Sequence, residues 1–255
     1  MRKFTVLLAF FIGANTFAQV HVSLDNWYNQ EVSAKTGLPY HYLWTDTLNS
    51  GFSQLGSLFT DSGAKLSTLK EAPSPSKLSE TDIYIIVDPD TTSENPNPNY
   101  IQKEHIKIIK KWVKRGGVLL LMANDGPNCE FTHFNNLSGE FGIRFNAVTL
   151  NPVTGRNWEM GAETNLPDHP LFKDVNKIYM KEVASIETKG DVRKVLIDGE
   201  STYIAECSFG KGFVLAIGDP WLYNEYIDHK LLPDDFENLK AAKNMLAHLF
   251  GKVVQ

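Results

Sequence analysis

VLLLMANDGPNCEFTHFN, residues 118–135, is the stretch whose reading decides the fold. Its opening run, from Val118 to Met122, is apolar throughout and does not alternate. That suits a strand buried on both faces of a sheet. The stretch then turns polar, through Asn124, Asp125, Asn128, Cys129, Glu130 and His133. A buried strand that opens into a polar loop is how α/β sheets present ligand sites at the carboxyl ends of their strands.

Outward from this stretch the pattern recurs. Residues 82–87 (DIYIIV) form a second apolar run and end in Asp88-Pro89-Asp90. Residues 21–24 run into Asp25-Asn26-Trp27-Tyr28-Asn29, and residues 212–217 lead to Asp219-Pro220-Trp221-Leu222-Tyr223-Asn224-Glu225. Residues 64–69 add another strand. Helical spacing appears at Phe52, Leu55, Leu58 and Phe59, behind an N-cap expected at Asn49 or Ser50. It appears again over residues 101–115, with Ile108, Ile109, Trp112 and Val113 inward and the lysines outward. A short helix is expected over residues 134–141 and a closing helix over residues 236–250. Residues 178–188, 194–198 and 202–208 read as further strands. Residues 146–165 lack periodicity and read as an insertion folding over the site. The expected fold is an open, mainly parallel α/β sheet with helices on both faces and an antiparallel edge extension. One domain is expected to span residues 19–255.

Residues 1–18 read as a signal peptide, with Arg2 and Lys3, an apolar run, and a small-x-small site before Gln19. The expectation is an exported protein, periplasmic or secreted, with no membrane attachment after cleavage. Losing Arg2 and Lys3 takes the formal net charge from −5 to −7. That balance argues against nucleic acid or an anionic membrane as partner. Cys129 and Cys207 have neither CxxC nor zinc-finger spacing; free thiols and a single bridge stay open as alternatives.

Three chemistries fit the polar strand ends. Cys129, Glu130 and His133 could form a nucleophile with a base and a carboxylate, but the tight strand-to-elbow turn is missing. Glu130, His133, Asp88, Asp90 and Asp125 could ligate a metal, but no ligand signature is present. Trp27, Tyr42, Trp44, Trp158, Trp221 and Tyr223 beside carboxylates and amides suit sugar hydroxyls. The third reading is favoured, with no cofactor or metal. In it Glu130, His133 and Asp88 are the candidate catalytic groups, with Cys129 weaker. Trp44, Asp46, Asn124, Asp125, Asn128, Asn135, Asp219, Trp221, Asn224 and Glu225 are the candidate substrate contacts.

Several blocks carry a family resemblance: DNWYNQE (25–31), YLWTDTLNSGFSQLG (42–56), DIYIIVDPDT (82–91), GGVLLLMANDGPNCEFTHFN (116–135) and GDPWLYNEY (218–226). They resemble a domain of exported proteins in glycan-degrading Gram-negative bacteria. That domain often follows an unsaturated glucuronyl or rhamnogalacturonyl hydrolase of glycoside hydrolase families 88 and 105. It is similar in fold to the class I glutamine amidotransferase-like, flavodoxin-like sandwich. The resemblance implies a polysaccharide-utilisation context, with a uronic-acid oligosaccharide such as a pectin fragment as ligand. The amidotransferase Cys-His-Glu triad does not carry over, because the elbow is absent. The uronyl hydrolase activity does not either, because its barrel is absent. Whether the rim also hydrolyses the oligosaccharide stays open. The alternatives are an accessory domain docking a separate uronyl hydrolase, and a Cys129-dependent amidase or esterase.

Overall fold

A computed structural model describes residues 19–228 and 231–253, apart from the side chains of Glu225 and Asp228. The expected signal peptide lies outside the described residues. The elements in chain order are β1 (His21–Asp25), α1 (Ser53–Asp61), β2 (Lys65–Leu69), α2 (Pro75–Leu78), β3 (Ile83–Val87), α3 (Lys103–Arg115), β4 (Val118–Met122) and α4 (Phe131–Ser138). The second half holds β5 (Ile143–Phe145), β6 (Ala162–Glu163), β7 (Ile178–Tyr179), β8 (Ile186–Thr188), β9 (Arg193–Asp198), β10 (Ser201–Phe209), β11 (Gly212–Ile217) and α5 (Asn238–Phe250).

Seven strands form one sheet in the order β2-β1-β3-β4-β11-β10-β9. The pairs from β2 to β11 are parallel, while β10 and β9 extend the edge antiparallel. The chain order reverses between β1 and β3, since β2 lies on one side of β1 and β3 on the other. Register levels the strand ends: Val87 pairs with Met122, and Met122 with Ile217. Asp88, Ala123 and Gly218 therefore leave the sheet at one height, and the residues that follow them share a rim.

The all-apolar runs exist because the sheet is covered twice. Val118, Leu120 and Met122 face a cluster that includes Leu55 and Phe59 of α1 and Met245 and Leu249 of α5. Leu119 and Leu121 point the other way, to Ile109 and Val113 of α3 and Phe134 and Leu137 of α4. Each such side chain, fully buried, stabilises the fold by roughly 1.5–3 kcal/mol. This is the expected α/β architecture, with helices on both faces and an antiparallel edge.

Four details differ from the sequence reading. Helix α1 starts at Ser53, because Asp46 and Gly51 shape the turn before it; a Cβ on Gly51 would stand 1.9 Å from the Asp46 carbonyl oxygen. Helix α4 starts at Phe131, three residues early, because Glu130 caps it. The expected strand over residues 178–188 is broken at Glu182, whose φ is +52°. Its two pieces leave the main sheet: β7 pairs with β6, and β8 with β5. Among the described residues no helix is long and apolar enough to cross a membrane. Cys129 and Cys207 are both free and buried.

Candidate functional site

The outer strand ends are closed turns. The Asp25 carboxylate accepts the Trp27 and Tyr28 amides at 3.1 and 2.8 Å, and the Tyr84 hydroxyl donates to its other oxygen. Asp219 accepts the Trp221 amide at 2.7 Å and the Lys181 amide at 2.8 Å. Burial pushes both carboxyls up to about 7 against these stabilising hydrogen bonds.

Between them, at the reversal from β1 to β3, lies a denser polar cluster. Asp88, directly after β3, is 2 % exposed and adopts a left-handed backbone with φ +45°. One oxygen, Oδ2, accepts Asn124 Nδ2 at 3.0 Å, and the Asp88 carbonyl accepts Asn29 Nδ2 at 2.7 Å. Asn124 Nδ2 also reaches the Tyr42 hydroxyl at 3.4 Å. Tyr42 and its neighbour His41 are left-handed too, at φ +46° and +63°. Non-glycine residues in this region persist only where their surroundings over-determine them, and they gather at functional sites. Asp46 holds this loop by accepting the His41 and Leu48 amides, each at 2.9 Å. His41 Nδ1 in turn lies 2.7 Å from Glu31 Oε1.

The β3 loop adds two further carboxyls. Asp90 Oδ2 accepts the Gln30 amide at 2.9 Å and Asn95 Nδ2 at 2.8 Å. Glu94 accepts the Thr91 amide and hydroxyl at 3.0 and 2.7 Å. Burial, opposed by these bonds, pushes Asp90 up to about 6 and Glu94 to about 7. Burial and then the Glu94 charge push Asp88 well above the carboxylate range. Burial followed by the charges of Asp88, Glu31 and Asp219 raises the Tyr42 phenol. Three buried acceptor oxygens in this region have no hydrogen-bond partner: Asn29 Oδ1, Asp88 Oδ1 and Asp90 Oδ1. Buried polar atoms in folded proteins are almost always paired, so three orphans of one kind are informative.

The structure brings Asp88 and Asn124 together, with Asp46 holding the adjoining loop. The other candidates take structural positions. Glu130 accepts the Thr132 and His133 amides as the N-cap of α4, and its own amide donates to the Pro89 carbonyl at 2.8 Å. His133 stacks on Tyr100, with ring centroids 4.5 Å apart. Its Nδ1 stands 3.1 Å from Glu130 Oε1 without an aligned hydrogen bond. Asp125 accepts Asn128 Nδ2 at 2.6 Å and the Thr149 hydroxyl at 2.7 Å, so the segment after β5 does meet the end of β4. Asn135 bridges both the amide and the carbonyl of Phe145, tying α4 to β5. Trp44 packs on Phe52 and Phe59 and donates to the Ser67 carbonyl at 3.0 Å, on the β2 flank and away from the rim cluster. The Lys181 ammonium sits 4.1 Å from the Trp221 ring centroid. Asn224 is fully buried and accepts the Tyr226 amide, with its Nδ2 unpartnered. The Glu225 side chain lies outside the described residues. The Cys129 thiol is buried and pushed well above its ordinary range by that burial, the opposite of nucleophile activation.

Sequence reasoning missed Glu31, His41 and Glu94 as members of the cluster. Glu31 and Glu94 lie several residues beyond the ends of β1 and β3, in turn-rich loops whose return to the rim no local pattern gives. For His41 the signal was the polar and aromatic density of PYHYLWTD (39–46). Among the described residues, Glu130, His133, Asp88, Asp90 and Asp125 form no group with donor atoms close enough for a shared metal; His169, Glu206 and His248 do. A groove of about 480 Å³ between α2 and α3, lined by Leu78, Trp112 and Lys111 among others, contains no unpartnered buried polar atom.

No protein-family model matches the chain, and no curated protein does. Solved structures resemble it in fold. The N-terminal domain of mmIFT52 superposes with a TM-score of 0.66 at 16% identity, covering 90% of this chain and 97% of that one. Cytoplasmic protein STM1381 from Salmonella typhimurium LT2 gives 0.57 at 12% identity, covering 91% and 99%. A β-galactosidase from Rahnella sp. R3 gives 0.54 at 12% identity, covering 93% of this chain but 32% of that one. At these identities the likeness is one of architecture.

Proposed function

We propose that this protein binds an oligosaccharide at the carboxyl ends of β1, β3 and β4, as an exported component of a glycan-degrading system. The observation that carries the reading is the trio of unpartnered polar oxygens, Asn29 Oδ1, Asp88 Oδ1 and Asp90 Oδ1. All three lie out of reach of solvent, so the loops over them would have to open before sugar hydroxyls, which are donors, could satisfy them. The parallel strands follow the doubly wound 2-1-3-4-5 order. In that order the reversal between the first and third strands is where ligands bind. The order also supports a flavodoxin-like assignment, within the amidotransferase-like group that the sequence resembles.

Electrostatics refines the ligand. Burial favours the protonated form of Asp88, but Glu31, together with Asp90 and Glu94 when they ionise, would repel a uronate carboxylate there. The hydroxyl face of the glycan belongs at this position. The cation a uronate group would have to recruit is Lys181, at the β11 end of the rim, whose ammonium lies 2.9 Å from Glu182 Oε2 and over the Trp221 ring. Asp90 and Glu94, held near neutrality, could also exchange protons with a bound glycosidic oxygen. Hydrolysis is therefore worth assaying with the same ligands.

Titration calorimetry with neutral galactan fragments and oligogalacturonides tests the proposal. Binding is expected, weakened about tenfold or more in Asp90→Ala, since one lost hydrogen bond to a charged or buried acceptor is worth about 1.4 kcal/mol or more. Flat heats across a broad glycan panel would sink it. An accessory role is the second reading. It draws on the β-galactosidase match, in which this architecture occupies about a third of a larger chain. Co-elution with a uronyl hydrolase that survives Asp88→Asn and Asp90→Ala would favour it.

A further inference from the structure

The geometry points to a second site, and we propose that His169, Glu206 and His248 bind one divalent transition-metal ion of the zinc class. The site is independent of the rim and of its ligand. His169 precedes the 3-10 turn at Pro170–Phe172, Glu206 lies on β10, and His248 lies in the last turn of α5. No sequence spacing links them; the fold does. Both imidazoles present Nε2 to one carboxylate. His169 Nε2 lies 3.1 Å from Oε1, His248 Nε2 lies 2.8 Å from Oε2, and all three donor atoms fall within 4.8 Å of one another. Donors bonded at about 2.0–2.2 Å to one tetrahedral ion stand roughly 3.3 Å apart, so small shifts suffice.

Two histidines and a glutamate are a zinc donor set that leaves a fourth position for water. The surroundings suit that arrangement. His169 is 3 % and Glu206 6 % exposed, so the donors are held by packing. His248 is backed by the Phe213 ring at 5.4 Å. Both histidines line a groove of about 520 Å³ between the 170–172 turn and α5, which provides an entry path.

Two features oppose binding and set its limits. Arg193 Nη1 stands 3.7 Å from Glu206 Oε1, but its side chain is 60% exposed and free to swing toward solvent. The Leu171 amide donates to His169 Nδ1 at 3.3 Å, so in the metal-free protein the ring proton sits on Nε2, facing Glu206. An ion at Nε2 displaces that proton, the ring is reprotonated at Nδ1, and the long Leu171 contact opens.

The test is calorimetric titration of the chelator-treated full chain with Zn²⁺, with Mg²⁺ as control. One zinc per chain is expected, with a rise in Tm. Removing an outer-shell partner of a metal ligand already costs 10–100-fold in affinity. Glu206→Gln and His248→Ala, which remove ligands themselves, should each lose more than about 100-fold. Absence of zinc binding, or unchanged binding in both variants, overturns the proposal and leaves a hydrogen-bonded His-Glu-His bridge. Should the variants misfold, Co²⁺ added to the unmodified chain decides. Visible d–d absorption from nitrogen and oxygen coordination, lost on adding Zn²⁺, is expected, and its absence overturns the site.

Discussion

Asp25 and Asp219 have buried carboxyls whose pKa lies near 7 in the folded chain against 3.8 as the ordinary value. A carboxyl raised in this way binds its proton more tightly folded than unfolded. Its contribution to stability is complete below about pH 4, falls as pH rises toward 7, and is then level. The formal size of the loss is about 4 kcal/mol per group, an upper bound. Asp25→Asn keeps an oxygen for the Trp27 and Tyr28 amides and cannot ionise. Urea denaturation at pH 5 and pH 8 should show the variant losing less stability between the two than the parent does. An equal loss would mean that Asp25 ionises normally. Asp88 makes a different point. Its left-handed backbone suits Asn far better than Ala, by roughly 1 kcal/mol. Asp88→Ala should therefore melt below Asp88→Asn, whatever either does to sugar binding.

Glu130 shows how an element boundary escapes sequence reading. Preferred N-caps are Ser, Thr, Asp and Asn, so a glutamate before an apolar run reads as a functional group and not as a cap. Its oxygens nevertheless accept the Thr132 and His133 amides and start α4 three residues early. Glu130→Ala should lower stability by about 1 kcal/mol in urea denaturation, the usual worth of a cap. A neutral result would show that water replaces the carboxylate. The doubly covered strands β3, β4 and β11 were legible because burial on both faces leaves no polar position to alternate. Their neighbours were not: β11 inserts beside β4 only after the chain has made two ribbons and two edge strands. Residues 178–188 misled for a related reason, since apolar content alone does not reveal the turn at Glu182. The site divided along the same line. Asp88 and Asn124 follow legible strands, whereas Glu31, His41 and Glu94 reach the cluster through loops whose path only the tertiary structure sets.

At the scale of the molecule, one face of the sheet depends on an element that comes last in the chain. Helix α5 buries Ala241, Ala242, Met245, Leu246 and Leu249 against the cluster that holds Val22, Leu24 and Ile85. The three larger side chains alone contribute on the order of 6 kcal/mol. That is comparable to the whole stability of an ordinary domain, roughly 5–15 kcal/mol. Asn238, fully buried at the start of the helix, adds polar dependence. Its side chain accepts the Tyr179 amide at 2.8 Å and donates to the Tyr179 and Leu222 carbonyls at 3.1 and 3.2 Å. Ending the chain after Glu237 would expose that apolar face and orphan three backbone groups. The truncated chain should lose its cooperative thermal transition and its near-ultraviolet circular dichroism. In the intact chain, Trp27, Trp44 and Trp112 report on the β1–β3 half, and Trp158 and Trp221 on the other. If both halves share the core that α5 closes, tryptophan fluorescence and far-ultraviolet circular dichroism should give coincident urea transitions. Two separated transitions would divide the chain into independently folding parts and would place the rim at their boundary, where ligand binding would then couple to their docking.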